Sequence, residues 1–191
     1  MPGTGHVRPT AKTAAPERER DFMGHGRCLA PVMSRPAGPV RWFGMAVQVA
    51  VIGSGREHEE RAERVGRLLA ERGATVVCGG LGEVMEAAAR GAKSAGGTTI
   101  GIVPGESRHE ANRSIDHVVV TGIGHGRNLA VVASGDAVIA VGGRWGTLAE
   151  IGFAKVLGRY VVILEPGWEI AELPRAATPD EAVELALAAV G

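Results

Sequence analysis

The feature that most constrains this chain is a repeated pattern in which an apolar run ends at a turn and a helical segment follows. The apolar runs lie at 46–53, 75–78, 98–103, 117–121, 137–141 and 160–164. They show little polar alternation, which is typical of strands that are buried on both faces. Helical periodicity separates most of them, at 57–71, 83–94, 127–134 and 147–157, and a last helix is predicted at 179–190. This alternation predicts an α/β protein, a Rossmann-like three-layer α/β/α fold around a mostly parallel sheet of about six strands.

Glycine turns follow several of these strands. In a parallel sheet the carboxyl ends of the strands meet at one edge, and ligands bind beyond that edge. We therefore expect the turns to converge on one cleft. The residues predicted to bind a ligand there, after the first two strands, are Gly53, Ser54, Gly55, Gly79 and Gly80.

The stretch 141–150 reads VGGRWGTLAE and joins a predicted strand to the next helix. Its three glycines lack a Cβ atom, so the backbone there can adopt positive φ and direct several N–H groups at one anion. The positive end of the following helix also favours an anion. The stretch thus predicts a phosphate-binding loop, in which Trp145 could stack on a base or pterin ring or be buried against a neighbouring subunit. Its predicted ligand-binding residues are Gly142, Gly143, Arg144, Trp145, Gly146 and Thr147.

Other ligand-binding motifs are absent from the sequence. After the first strand, His58 stands where a GxGxxG dinucleotide fingerprint needs its last glycine, which makes an NAD enzyme the less favoured interpretation. A GxxxxGK[ST] loop for ATP hydrolysis is missing as well. The histidines have no metal-ligand spacing, so no metal site is predicted.

The stretch 141–150 resembles the PGGxGTxxE signature of the LONELY GUY phosphoribohydrolases, with Val141 in place of the proline and with Arg144 and Trp145 where the signature has one variable residue. Its GGxWGTxxE form is closer to a bacterial branch of the same SLOG superfamily. That branch includes molybdenum-cofactor carrier proteins and members once labelled lysine decarboxylases. The label fits poorly, because no lysine of this chain lies in a recognisable pyridoxal-phosphate motif. The resemblance covers roughly residues 45–164.

The resemblance implies that Arg127 and Glu150 are the catalytic residues. In the family an Arg–Lys pair and this glutamate support cleavage of an N-glycosidic bond. Here Asn128 replaces the lysine, and Ala149 replaces a second glutamate of the cytokinin-activating signature.

Both candidate residues also have a structural interpretation. Arg127 lies in the first turn of a predicted helix, where a cation opposes the helix dipole by about 0.3–1 kcal/mol. A ligand phosphate or Glu150 could compensate, but a solvated arginine at an exposed helix end is the alternative. Thr147 and Glu150 fit an S/T-x-x-E capping box, which alone would explain both residues.

Two classes of function fit these residues. The first is a nucleotide-binding phosphoribohydrolase that splits nucleoside 5'-monophosphates into base and ribose 5-phosphate, with no cofactor. The second is a non-catalytic binder or carrier of a phosphorylated nucleotide-like or pterin ligand. The changes at Val141, Asn128 and Ala149 favour the carrier. The hydrolase is favoured instead by the residues that match its signature, Arg127, Thr147 and Glu150.

Composition sets the domain and compartment expectations. With 191 residues, of which 45% are apolar, the chain fits one folded domain, predicted at 45–191. Residues 1–44 are rich in Arg, Pro, Gly and Ala and are predicted to be a disordered extension. Cys28 and Cys78 lack CxxC spacing, so free thiols in a reducing, cytoplasmic compartment are predicted.

Charge and apolar surface set the partner expectations. A formal net charge of +0 and only 4% aromatic residues argue against a nucleic-acid partner. No apolar run has the eighteen or so residues needed to span a membrane. Helix segments at 129–133 and 182–190 are more apolar than one covering layer needs, which predicts a homodimer or homotetramer.

Overall fold

The computed structural model describes residues 45–164 and 170–191; the extension predicted at 1–44 lies outside the described residues. The described residues form seven strands and five α-helices. The strands are β1 (Gln48–Ser54), β2 (Thr75–Cys78), β3 (Thr99–Val103), β4 (His117–Val120), β5 (Ala137–Gly142), β6 (Tyr160–Leu164) and β7 (Arg175–Ala176). The helices are α1 (Glu59–Glu71), α2 (Val84–Ser94), α3 (Arg127–Ser134), α4 (Trp145–Val156) and α5 (Pro179–Ala188).

All seven strands are parallel and lie in one sheet in the order β4-β3-β2-β1-β5-β6-β7. The predicted α/β class with a parallel sheet is confirmed. The order reverses between β1 and β5, and in open parallel sheets ligands bind in the crevice at such a reversal, beyond the carboxyl ends of the strands. The two strands end side by side, because Ser54 pairs with Gly142. The topology thus forms a crevice at these two residues.

The sheet has seven strands rather than about six. The additional strand, β7, contains only Arg175 and Ala176 and pairs with the end of β6. A strand of two residues is too short to produce a detectable apolar pattern. Among the described helices, none is long and apolar enough to cross a lipid bilayer.

Apolar clusters cover both faces of the sheet. Val49 and Val51 of β1 belong to the cluster that contains side chains of α1, α2 and α5. Ala50 and Ile52 belong to the cluster that contains side chains of α3 and α4. Successive residues of a strand point to opposite faces. Both faces of β1 are therefore buried, which explains why its sequence shows no polar alternation.

Candidate functional site

Three glycine turns meet at the crevice, because β2, β1 and β5 are neighbours in the sheet. Gly53 and Gly55 end β1 with φ of 148° and 107°, Gly80 follows β2 with φ of 70°, and Gly142 and Gly143 end β5 with φ of 58° and 130°. Residues with a Cβ atom rarely adopt these angles. The structure therefore brings together the turns that the sequence singled out.

Arg127 is the first residue of α3 and is only 7% exposed, so it is not a solvated surface arginine. Its guanidinium lies against Gly79, where a Cβ atom would be 2.5 Å from Nη1 and Nη2. Gly79 thus makes room for Arg127, a steric role that the sequence did not reveal. Arg127 Nε is buried and has no hydrogen-bond partner among the described residues. Such a buried donor costs about 1–3 kcal/mol unless a partner satisfies it.

Glu150 lies in the second turn of α4 and is 7% exposed. The predicted capping box with Thr147 is wrong. The helix begins at Trp145, and its N-cap residue Arg144 forms no side-chain capping bond. Leu148 N donates to Arg144 O at 3.0 Å, so the first turn closes before Thr147 can act as a cap. The burial of Glu150 consequently needs another explanation.

Arg127 and Glu150 form a buried ion pair. Arg127 Nη1 and Glu150 Oε1 are 3.6 Å apart, longer than a charge-assisted hydrogen bond of about 2.7–2.9 Å. Burial raises the pKa of Glu150 to about 7, although the Arg127 charge acts in the opposite direction. Burial also lowers the pKa of Arg127, with Glu150 opposing that shift. Each charged form is thus disfavoured by desolvation more than the partner favours it, and Glu150 can exchange a proton near neutral pH.

Cys78, the last residue of β2, lies close to this pair. Burial raises the pKa of its thiol to about 11, so the thiol is neutral at physiological pH. Its Sγ accepts the N–H of Gly80 at 3.4 Å and donates to Met85 O at 3.7 Å. Cys78 is a free thiol, as predicted, and it shapes the turn after β2. Cys28 lies outside the described residues.

The loop after β5 is tightly folded at its first two glycines. A Cβ atom at Gly143 would lie 2.5 Å from Thr147 Cβ, so the Thr147 side chain occupies the space that the glycine leaves. Thr147 is itself buried at 3% exposure. Gly146 differs, because it lies inside α4 without a positive φ, and nothing lies within 4 Å of a Cβ atom built there. The expectation of positive φ at Gly146 is therefore wrong.

Arg144 and Trp145 follow Gly143 at the start of α4. Arg144 is exposed, and Trp145 is 75% exposed as the first residue of α4. The ring is therefore largely open to solvent. The two interpretations given for Trp145 from the sequence therefore both remain.

Two further residues of the site were not predicted. The ring of His58 lies against the loop after β5, where a Cβ atom at Gly142 would collide with it. Glu83 Oε2 accepts the N–H of Gly55 at 2.8 Å. The sequence carried a signal for His58, which stands where a GxGxxG motif needs its last glycine. That position excluded a dinucleotide fingerprint but did not indicate a contact with the loop after β5. It carried none for Glu83, because a contact across 28 positions leaves no local pattern.

The polar segment 106–116 is attached to the turn after β2. Asn112 N donates to Gly80 O at 2.8 Å, and its side-chain amide donates to Gly80 O and Leu81 O at 3.1 and 2.7 Å. The segment therefore lies beside the crevice. Across the parts of the chain that the structure describes, no group of three or more His, Cys, Asp or Glu side chains could hold a metal ion.

The fold and the site define a Rossmann-like α/β protein with glycine turns at the sheet's topological switch point and a buried arginine and glutamate beside the turn after β2. The chain belongs to the SLOG cluster 4 family, whose sequence model matches residues 46–189. The resemblance to the LONELY GUY and SLOG proteins is thereby confirmed.

Similar proteins cover most of the same region. The chain is 44% identical to an uncharacterized protein of Archaeoglobus fulgidus over 140 residues, which are 72% of this chain and 92% of that protein. It is 33% identical to a cytokinin riboside 5'-monophosphate phosphoribohydrolase of Mycobacterium marinum over 138 residues, 67% of this chain and 73% of that protein. A molybdenum cofactor binding protein of the phototrophic bacterium Rippkaea orientalis superimposes with a TM-score of 0.73 and 30% identity, covering 78% of this chain and 99% of that one.

Proposed function

We propose that the crevice binds a nucleoside 5'-monophosphate and that the protein hydrolyses its N-glycosidic bond. The observation that carries the proposal is the buried pair of Arg127 and Glu150, 3.6 Å apart, with Arg127 against Gly79 in the turn after β2. The similarity to the Mycobacterium marinum phosphoribohydrolase supports it.

The pair is difficult to explain by stability alone. Desolvation of a buried ion pair often exceeds its Coulombic gain, and replacement by apolar residues is frequently neutral or stabilising. Here desolvation shifts both pKa values against the charged forms, and Arg127 Nε lacks a partner among the described residues. Strongly perturbed groups of this kind cluster at functional sites. A ligand oxygen at Arg127 would satisfy the unpaired donor.

The loop at 142–147 is the proposed seat of the phosphate. Positive φ at Gly142 and Gly143 can turn backbone N–H groups toward one anion, and the N-terminus of α4 adds a favourable dipole. With the phosphate fixed there, the ribose would extend toward Glu150. Fixing the sugar in this way contributes to catalysis, because the reacting bond is held in one orientation.

In the proposed reaction the bond between ribose C1' and the base nitrogen breaks, and a bond between C1' and a water oxygen forms. Positive charge develops on the ribose, and ionised Glu150 stabilises it and accepts a proton from the attacking water. The leaving base takes up a proton, so the products are free base and ribose 5-phosphate. A pKa of about 7 suits Glu150 to this exchange, since a general base works best when its pKa is close to the operating pH.

Incubation of the purified protein with a panel of nucleoside 5'-monophosphates tests the proposal, with free base measured by chromatography. Release of base by wild type and its loss in Arg127→Gln, which keeps most of the size and the polarity of the side chain, would support it. The control is Arg64→Gln, since Arg64 is a half-exposed arginine paired with Asp180 on α5, away from the crevice. No release of base from any nucleotide would exclude the hydrolase.

A second candidate is a carrier of a phosphorylated pterin or nucleotide-like ligand. Asn128 is 8% exposed where the family has a lysine, and exposed Ala149 offers no second carboxylate beside Glu150. The similarity to the Rippkaea orientalis molybdenum cofactor binding protein supports this candidate. Binding of a nucleoside monophosphate or pterin monophosphate without turnover would identify a binder.

We further propose that α3 and α4 pair with a second copy of the chain. Exposed apolar side chains lie along this face, which we call the α4 face: Leu129, Trp145, Phe153, Val156 and Leu157. Small residues lie between them on α4, and an apolar face can pair with itself without complementary charges. The apolar side chains of α5 pack in or against the core instead, so we do not propose an interface at 182–190.

The absence of a nucleic-acid partner and a cytoplasmic location remain predictions.

A further inference from the structure

Glu83 adopts an unusual backbone conformation. With φ of 56° and ψ of −131°, it is the one non-glycine residue with positive φ in the described part of the chain. A Cβ atom is disfavoured there, and such strain persists only where surrounding contacts maintain it. Glu83 precedes α2 directly, yet its side chain forms no capping bond to that helix. Its carboxylate therefore serves something other than the helix.

That carboxylate occupies a backbone donor of the crevice. Glu83 Oε2 accepts the N–H of Gly55 at 2.8 Å. Gly55 follows Ser54, which pairs with Gly142 at the start of the proposed phosphate loop. Neighbouring strands lie about 4.8 Å apart, so the occupied N–H is roughly one strand spacing from that loop. A second phosphate next to the first would approach this position.

We propose that Glu83 restricts the crevice to ligands that carry a single phosphate. The inference rests on the proposed function, because it takes the loop at 142–147 as the seat of that phosphate. The second phosphate of a diphosphate or a dinucleotide would find the Gly55 N–H already bonded, and it would meet a like charge, which is strongly unfavourable. The Glu57 carboxylate adds to this charge, since it lies 2.8 Å from where a Cβ atom on Gly55 would be.

Amide chemical shifts of the full-length, 15N-labelled chain test the proposal. Titration with inorganic phosphate, compared with sodium chloride at equal ionic strength, should shift the Gly143 amide of wild type but not the Gly55 amide. Glu83→Gly removes the carboxylate and relieves the strained φ, so the Gly55 amide should then respond. In parallel calorimetry, the preference of wild type for AMP over ADP should fall roughly tenfold or more in the variant, a change of about 1.4 kcal/mol.

Two variants control for folding and for charge alone. Glu83→Asn is neutral and too short to reach Gly55, and Asn tolerates positive φ better than most residues, so it should behave as Glu83→Gly does. Glu57→Gln removes a nearby charge but keeps the Glu83 bond, so its Gly55 amide should stay unresponsive. The proposal is overturned if the Gly55 amide responds to phosphate in wild type, or if it fails to respond in both Glu83 variants. It is also overturned if Glu57→Gln makes the Gly55 amide respond. A silent Gly143 amide would instead count against the proposed function, and the Gly55 result would still decide the role of Glu83.

Discussion

Arg127 Nη1 lies 3.6 Å from Glu150 Oε1, and the two side chains are only 9% and 10% exposed. They come from the first turn of α3 and the second turn of α4, two helices that pack on the same face of the sheet. Removing one partner of such a pair is strongly destabilising, by about 3–5 kcal/mol, since it leaves an uncompensated buried charge. Variants that keep size and polarity are therefore the informative ones at these positions.

Replacing Glu150 with Gln should stop base release while nucleotide binding persists. Gln fills the same space, but it can neither stabilise a ribosyl cation nor accept a proton from water, so the rate should fall at least about a hundredfold. In wild type, kcat/KM should rise with pH as Glu150 ionises near its pKa of about 7. Chromatographic assay of free base, with calorimetry for AMP affinity, measures both effects. Equal rates in wild type and variant would remove Glu150 from the mechanism.

Glu150 should also make stability depend on pH. Its pKa is about 7 in the folded protein, against an ordinary value of 4.5, so between these values the folded state binds more protons than the unfolded state. The free energy of unfolding should therefore fall as pH rises from about 5 to 8, by at most roughly 3 kcal/mol for this group. Glu150→Gln stays neutral, so its free energy of unfolding should increase relative to that of wild type over that range. Urea unfolding of both proteins at about pH 5 and about pH 8 tests this. If the difference in free energy of unfolding between the two proteins is the same at both pH values, the raised pKa is contradicted.

The phosphate loop can be tested with two glycines that the structure distinguishes. Gly143→Ala places a Cβ atom 2.5 Å from Thr147 Cβ at a φ of 130°, so it should displace the loop and weaken AMP binding by about tenfold or more. Gly152→Ala is the matched control. It lies in α4 outside the loop, with nothing within 4 Å of its Cβ atom, so it should retain binding and stabilise by about 0.5–1 kcal/mol. Calorimetry and thermal unfolding measure both, and equal loss of affinity in the two variants would argue against the loop geometry.

Much of the fold could be predicted because buried parallel strands leave a direct sequence pattern. The bounds predicted for β2, β6 and α3 agree with the structure. The convergence of the glycine turns followed from the rule that carboxyl ends of parallel strands share one edge. The position of Arg127 at the start of α3 was also predicted, although its burial depends on Gly79, which is distant in sequence.

The other features of the site depend on tertiary contacts, which local sequence patterns do not predict. Thr147 and Glu150 match a capping box, but two positive-φ glycines turn the chain early and α4 begins at Trp145 instead. Glu83 looks like an ordinary acidic residue before a helix, and only the tertiary fold brings it to Gly55. Motif matching therefore placed a glycine turn correctly between β5 and α4 but assigned the wrong cause to Glu150, and phosphate binding by the turn stays a prediction.

A chain that begins at Met45 should fold and keep its ligand affinity. The family match covers residues 46–189, and both described apolar clusters draw on residues from Val47 onward. The melting temperature should change by less than about 3 °C, which corresponds to roughly 1 kcal/mol for a domain of this size. Calorimetry with AMP and thermal unfolding of the full and shortened chains provide the comparison. A large loss of stability would show that residues 1–44 belong to the fold.

The α4 face can be tested with Val156, which is 86% exposed. Val156→Lys should change the stability of a monomer by less than about 0.5 kcal/mol, because the side chain is already in solvent. In a dimer it would place a lysine, with a like charge from the second copy, in an apolar interface, which is unfavourable. Light scattering after size exclusion should give twice 19.7 kDa or more for wild type and one chain mass for the variant. Val119→Lys is the matched control, since Val119 is a 47% exposed valine on the edge strand β4, and it should keep the wild-type mass. A monomeric wild type, or a Val156→Lys variant that stays assembled, would contradict the proposed pairing.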